Sequence, residues 1–180
     1  MERPNRTARP GRSAAVAMLA VVAAFLAATE ALPDELLAGS IEGPAQAFIS
    51  RALGLAVDKL RNPACRQIFS EFNAIDTDSL ADVLRAHGET AEVHLRRMRF
   101  RDGSHHLRCI RQEAYAVTRT GSLDVFVCGS FLTEARRDPS AAANVLIHEE
   151  LHSLGAGEAP MPGLPSSEEI TAHVASRCGR

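Results

Sequence analysis

Val145-Leu146-Ile147-His148-Glu149-Glu150-Leu151-His152-Ser153-Leu154-Gly155 is the stretch on which the fold turns. Upstream it opens at Asp138-Pro139, an N-cap residue followed by proline at the first helical position, and it closes on Gly155. Ala141, Val145, Leu146, Ile147, Leu151 and Leu154 make this a strongly apolar helix, in which two histidines and a glutamate are poor choices unless their face has work to do. His148 and His152 are four residues apart, so both imidazoles leave one face a turn apart and can share one tetrahedral ion. Glu149, beside the first histidine, is placed to take a proton from water activated by that ion rather than to bind the ion. That is the mechanical content of an H-E-x-x-H segment.

A hydrolytic site of this kind needs a third protein ligand and one open position. Ala156 to Pro165 reads as a linker rich in Pro and Gly, and Ser166-Ser167-Glu168-Glu169 opens a final helix to Cys178 with a capping box. Glu169 is the expected third ligand, sharing a face with His173 four residues on. His173 then orients the site or donates to a developing oxyanion. Three alternatives stay open: Glu168 as ligand, His173 as ligand, or Glu169 merely completing the capping box. Tyr115, the one tyrosine of the chain, is a second oxyanion candidate, although a strand position makes it a packed sheet residue. His87, His94, His105 and His106 offer no partner at metal-ligand spacing, the last two following a turn and reading as solvated.

His148-Glu149-Glu150-Leu151-His152 followed by a helix with Glu169 resembles the zincin metallopeptidases, in particular the gluzincin branch with a downstream glutamate as third zinc ligand. The run Val125-Phe126-Val127-Cys128-Gly129 is similar to the strand that precedes the active-site helix in small secreted zincins such as the deuterolysin-like peptidases. Their Gly-Thr-x-Asp pattern is not present, nor is the Asn-Glu-x-x-Ser-Asp segment of thermolysin relatives or the longer His-rich tail of metzincins. The resemblance covers roughly Leu123 to Cys178 and leaves the family unassigned. It implies one Zn2+ per chain, a peptide or protein substrate, and an edge strand ending near Cys128 against which that substrate pairs.

Working outward, Phe48, Ile49, Ala52, Leu53, Ala56 and Leu60 recur at helical spacing before Asn62-Pro63, and shorter helices are expected around Cys65 to Phe72 and from Asp78 to Ala86. Beyond Gly88 the period changes. Val93 and Leu95 alternate with polar neighbours, Asp102-Gly103 signals a hairpin with a return strand from His106 to Ile110, and Ala114 to Thr118 and Leu123 to Cys128 repeat the strand pattern. The expected fold is a single α+β domain of zincin type. It has a helical N-terminal part, a small, largely antiparallel sheet, the motif helix and a ligand-bearing C-terminal helix.

Arg3, Arg6, Arg9 and Arg12, the uncharged run from Ser13 to Thr29 and the small residues around Ala31 read as a secretory signal peptide over 1–31, or as an N-terminal anchor. Either places 32–180 outside the cytoplasm: secreted or periplasmic, or membrane-anchored only if the segment is retained. Cys65, Cys109, Cys128 and Cys178 then suggest two disulfides of undetermined pairing, and none forms the C-x-x-C of a thiolate metal or redox site. At 180 residues, 46% hydrophobic, 23% charged and net charge -2, with Lys59 the only lysine, the chain is an ordinary globular protein with no basic patch for nucleic acid. The expected function is that of an exported, monomeric, zinc-dependent peptidase. A non-enzymatic zinc-binding domain is the first alternative, and hydrolysis of a non-peptide amide or ester by the same residues is the second.

Overall fold

The computed structural model of the chain describes residues 41–75, 78–111 and 113–179. The expected leader over 1–31 lies outside them. Helix α1 (Pro44–Leu60) buries Ile49, Ala52, Ala56, Val57 and Leu60 along one stripe. Two four-residue helices follow, α2 (Pro63–Arg66) and α3 (Ile68–Glu71), then α4 (Leu80–Ala86) and α5 (Ala91–Arg97). The side chains of Asn62, Ser79 and Thr90 cap α2, α4 and α5 by accepting from backbone N–H groups of the first turn. Strand β1 (Arg99–Asp102), helix α6 (Leu107–Ile110) and strands β2 (Ala116–Thr118) and β3 (Asp124–Val127) lead into α7 (Gly129–Arg137), α8 (Pro139–Ser153) and α9 (Ser167–Cys178).

Helix α8 runs through the centre, packed against α1, α5, α7, α9 and β2. This position explains its sequence. From Ala142 to Ser153 every residue but Val145 is buried, the four charged or ionisable residues of the motif included. The cluster of buried side chains around it forms one core, with Phe69, Phe131, Leu60, Leu146, Ile147 and Ile170 among the largest members. A buried chain of polar groups ties α5 to the end of α8: Nδ1 of His94 lies 3.2 Å from Glu89 and Nε2 lies 2.8 Å from the Ser153 hydroxyl. Burial, with His87 nearby, pulls the His94 pKa down to about 4, so the ring is neutral at physiological pH.

The sheet corrects the sequence expectation. Its order is β1-β3-β2, with β1 parallel to β3 and β2 antiparallel to it, so it is mixed rather than largely antiparallel. The segment containing Val93 and Leu95 is helix α5. Its buried residues are Ala91, His94, Leu95 and Met98, which is helical spacing, while Val93 is exposed. The expected hairpin at Asp102-Gly103 does not form. The Asp102 carboxylate accepts from the Ser104 N–H, His106 caps the short helix α6, and Leu107 and Ile110 face solvent, leaving no alternating apolar face for a return strand. Gly103 is needed for close approach: a Cβ there would sit 2.8 Å from Cys109 Sγ and 2.9 Å from the Val127 carbonyl oxygen. The strand ending near Cys128 is the central one, which makes β2 the edge beside α8. Helix α7 was not anticipated.

Disulfides join Cys65 to Cys178 and Cys109 to Cys128. They are the bonds of a protein that matures in an oxidising compartment. The first closes 113 residues and fixes the end of α9 to α2, a constraint on the unfolded chain of about 5 kcal/mol by loop-closure entropy. Among the described residues no helix is long and apolar enough to cross a membrane.

Candidate metal centre

His148 and His152 project from α8 with their Nε2 atoms 3.0 Å apart. The other nitrogen of each ring is engaged: Nδ1 of His152 donates to the Ala156 carbonyl at 2.9 Å, and Nδ1 of His148 lies 3.0 Å from the Thr171 hydroxyl on α9. With Nδ1 as the N–H in both rings, the two Nε2 atoms carry lone pairs that face one another. Such a contact is repulsive unless a metal ion, or the proton of a charged His152, lies between them.

The chain itself supplies the third acceptor. Gly155, at φ 114°, ends α8, its N–H returning to the His152 carbonyl, and the next residues are pinned by a bridge between Ala74 and Ala156 and by Ile75 N–H donating to the Gly155 carbonyl. Gly157 packs so closely that a Cβ would lie 2.4 Å from Leu164 Cδ1 and 3.2 Å from Ile75. This tight turn returns Glu158 to the histidines. One oxygen, Oε1, accepts from Arg108 Nη1 at 3.0 Å. The other, Oε2, is buried 3.5 Å from His152 Nε2, an ion-pair separation rather than a hydrogen bond, and has no hydrogen-bond partner among the described residues.

His148, His152 and Glu158 thus bring three ligand atoms within 4.8 Å of one another. An ion about 2.05 Å from each of two tetrahedral ligands would hold them roughly 3.3 Å apart, near the 3.0 Å between the two Nε2 atoms and the 3.5 Å from His152 Nε2 to Glu158 Oε2. The converging lone pairs and the orphaned buried carboxylate oxygen fit a bound cation, so the group can hold a metal ion.

Protonation fits the same picture. Burial, and then the neighbouring imidazole, pull the His148 pKa down to about 3. Burial also opposes charge on His152, but contact with Glu158, the Ala156 carbonyl and the charge of Glu149 outweigh it and raise its pKa. Contact with His152 and, against the cost of burial, the attraction of Arg108 hold Glu158 down at about 2. Glu149 is 5% exposed; burial raises its pKa, an effect reduced by His152 and by the Thr118 hydroxyl beside it. Its Oε2 has no hydrogen-bond partner among the described residues.

All of these groups stand at the wall of an open cavity of about 840 Å³. Helix α8 forms its floor with Asn144, Val145, His148, Glu149 and His152, β2 forms one side, and Thr171, Ala172 and Ala175 of α9 form the other.

Of the residues singled out from sequence, His148, Glu149 and His152 meet at the cavity and Tyr115 stands exposed on its wall just before β2. Glu169 does not join them. It is exposed, and its Oε2 accepts from the Ser166 N–H at 2.7 Å while its own N–H donates to Ser166 Oγ, so the capping box occupies it. Glu168 lines the cavity outside the ligand group. His173 is absent from the cavity wall. Its Nε2 lies 2.5 Å from Glu71, which Arg177 also holds, and its ring meets Phe72 edge-on. His106 stacks on Phe126, and His94 is in the core rather than near an ion.

Glu158, Arg108 and Thr171 went unnoticed in the sequence. For Glu158 a signal existed: Gly155 and Glu158 stand seven and ten residues after His148, the spacing of H-E-x-x-H-x-x-G-x-x-H with glutamate at the last position. No protein-family model, curated protein or solved structure matches the chain.

Proposed function

We propose that the chain is an exported zinc-dependent peptidase of zincin type. One observation carries this: two imidazole nitrogens and a carboxylate oxygen converge at the wall of an open cavity, with the buried Glu149 carboxylate, its Oε2 without a partner among the described residues, alongside. Two histidines and a carboxylate are a donor set suited to zinc in a catalytic site, where three protein ligands leave one position open. A structural zinc takes four ligands in a closed site, which the cavity disfavours.

Zinc in that position supplies Lewis acidity for a carbonyl oxygen and acidifies water. The protein does the rest. Ala156 and Thr171 fix the ring orientations of His152 and His148. Glu149, with its affinity for a proton raised by burial, takes the proton of the attacking water and passes it to the leaving amine. Substrate binding falls to β2. Cys128 N–H donates to the Tyr115 carbonyl, so by the alternation of an antiparallel pair the N–H and C=O groups of Ala116 and Thr118 point away from β3. That free edge flanks the cavity and favours an extended peptide over a small ester or amide. Tyr115, on the same wall, is the hydroxyl available to a developing oxyanion.

The test is zinc content together with cleavage of an unfolded protein by the parent chain and its Glu149→Gln variant. Both bind one zinc and only the parent cleaves. Zinc binding with no cleavage by either protein favours a structural site; absence of zinc from both removes the proposal.

A further inference from the structure

Helix α6 is a single turn that buries little of itself, with Leu107 58% and Ile110 59% exposed. Three contacts hold it and its flanks: the Cys109–Cys128 bridge to the end of β3, the His106 ring stacked on Phe126 at 5.5 Å, and the tight approach of Gly103 to Cys109. From this turn Arg108 reaches fifty residues along the chain to Glu158 and to nothing else described. The contact is selective. It occupies Oε1 and leaves Oε2 buried and directed at the histidine nitrogens, in a half-buried residue that opens an exposed loop, 159–163. Without Arg108 the carboxylate is free to rotate or to turn toward water.

We propose that Arg108 is a positioning residue that presents one oxygen of Glu158 to the metal ion, held in reach by the Cys109–Cys128 bridge. The proposal rests on the metal site described above and not on peptide hydrolysis. Its sign separates it from plain electrostatics. A guanidinium near a cation site repels the cation, so by charge alone its removal tightens metal binding. By positioning, its removal weakens binding, by the 10- to 100-fold typical of partners that orient a ligand.

The experiment titrates the full chain with zinc against a chelating competitor, comparing wild type with Arg108→Gln, Arg108→Lys, Cys109→Ala/Cys128→Ala and, as a control for charge, Arg111→Gln on the same turn. The metal-free melting temperature is followed throughout. Arg108→Gln is expected to bind zinc roughly 10- to 100-fold more weakly, with Arg108→Lys between it and wild type, the double cysteine variant weakened in the same direction, and Arg111→Gln unchanged. Where cleavage is measurable, saturating zinc restores kcat in Arg108→Gln. Zinc affinity equal to or tighter than wild type in Arg108→Gln overturns the proposal, as does an Arg108→Lys variant no better than Arg108→Gln. If Arg108→Gln does not fold, Arg108→Lys alone decides, by binding zinc more weakly than wild type or equally. Wild type that binds no zinc refutes the metal site itself, a separate outcome.

Discussion

Glu150 is fully buried, 0% exposed, inside the motif, and neither of its carboxylate oxygens has a hydrogen-bond partner among the described residues. Burial, reinforced by the negative charge of Glu92, raises its pKa well above the ordinary 4.5. The sign follows directly. The folded protein holds this proton more tightly than the unfolded chain does, so the protonation linkage costs nothing below about pH 4 and destabilises progressively as pH rises through and beyond 4.5. Each pH unit between 4.5 and the raised folded pKa costs about 1.4 kcal/mol. Glu150→Met has nearly the same length, carries no polar atom, and stays clear of the ligands. In the metal-free protein it should raise the melting temperature at pH 7, by roughly 2–4 °C for each kcal/mol of this linkage in a chain of this size. The gain should shrink as pH falls to 4, where only the cost of burying the neutral, unpartnered carboxyl remains. The assay is thermal unfolding by circular dichroism between pH 4 and pH 8 with chelator present. A variant less stable than the parent at pH 7 would show that Glu150 is ionised and partnered, and a difference independent of pH would show that its pKa is not raised; either result refutes the reasoning.

Two further outcomes follow from the same geometry. Glu158→Ala should lose the bound zinc, measured by metal content after gel filtration, while Glu169→Ala keeps it and loses only the cap of α9; the opposite result would restore Glu169 as ligand. Zinc binding at neutral pH should release at most one proton, from His152, the one ligand whose pKa is raised, whereas His148 at about 3 and Glu158 at about 2 are already deprotonated. Affinity should therefore fall about tenfold per pH unit below the pKa of His152. Calorimetry in buffers of different ionisation enthalpy gives the number, and a value near two would contradict the depressed His148.

The parts of the fold that could be read from sequence are those with local signals. Asp138-Pro139 opens α8 as expected, its carboxylate accepting from Ser140 and Ala141, and Ser166 with Glu169 caps α9 as a box. The four-residue spacing of His148 and His152 gave the paired imidazoles. Between Gly88 and Ile110 the signals are weak. Two alternating residues, Val93 and Leu95, outweighed the longer Ala91, His94, Leu95, Met98 stripe that the core selects, and the Asp-Gly pair was satisfied by an Asx turn instead of a hairpin. Glu158 was passed over because the segment after Gly155 has the composition of a linker. What makes it a rigid arm is long-range: the Ala74–Ala156 bridge, Ile75 against Gly157, and Arg108 from fifty residues upstream. The same holds for Thr171. It stands two residues from Glu169, about half a turn away, on the face that tertiary packing turned toward His148.

Each ligand of the centre is braced by a different part of the chain, and the braces are of unequal strength. His148 and His152 stand on a buried helix and cannot move without disrupting the core. Their orienting partners are less secure. Thr171 belongs to α9, whose far end is joined by Cys178 to Cys65 and whose last carbonyl, at Gly179, accepts from Lys59 and Asn144. Arg108 belongs to a single exposed turn fixed by Cys109 to Cys128. In a domain this small little apolar surface remains to hold such peripheral elements, and covalent bridges take that role. The two disulfides end at the two elements that approach the candidate metal site from outside the core. We therefore expect oxidative maturation and metal affinity to be linked, the fully bridged chain binding zinc most tightly.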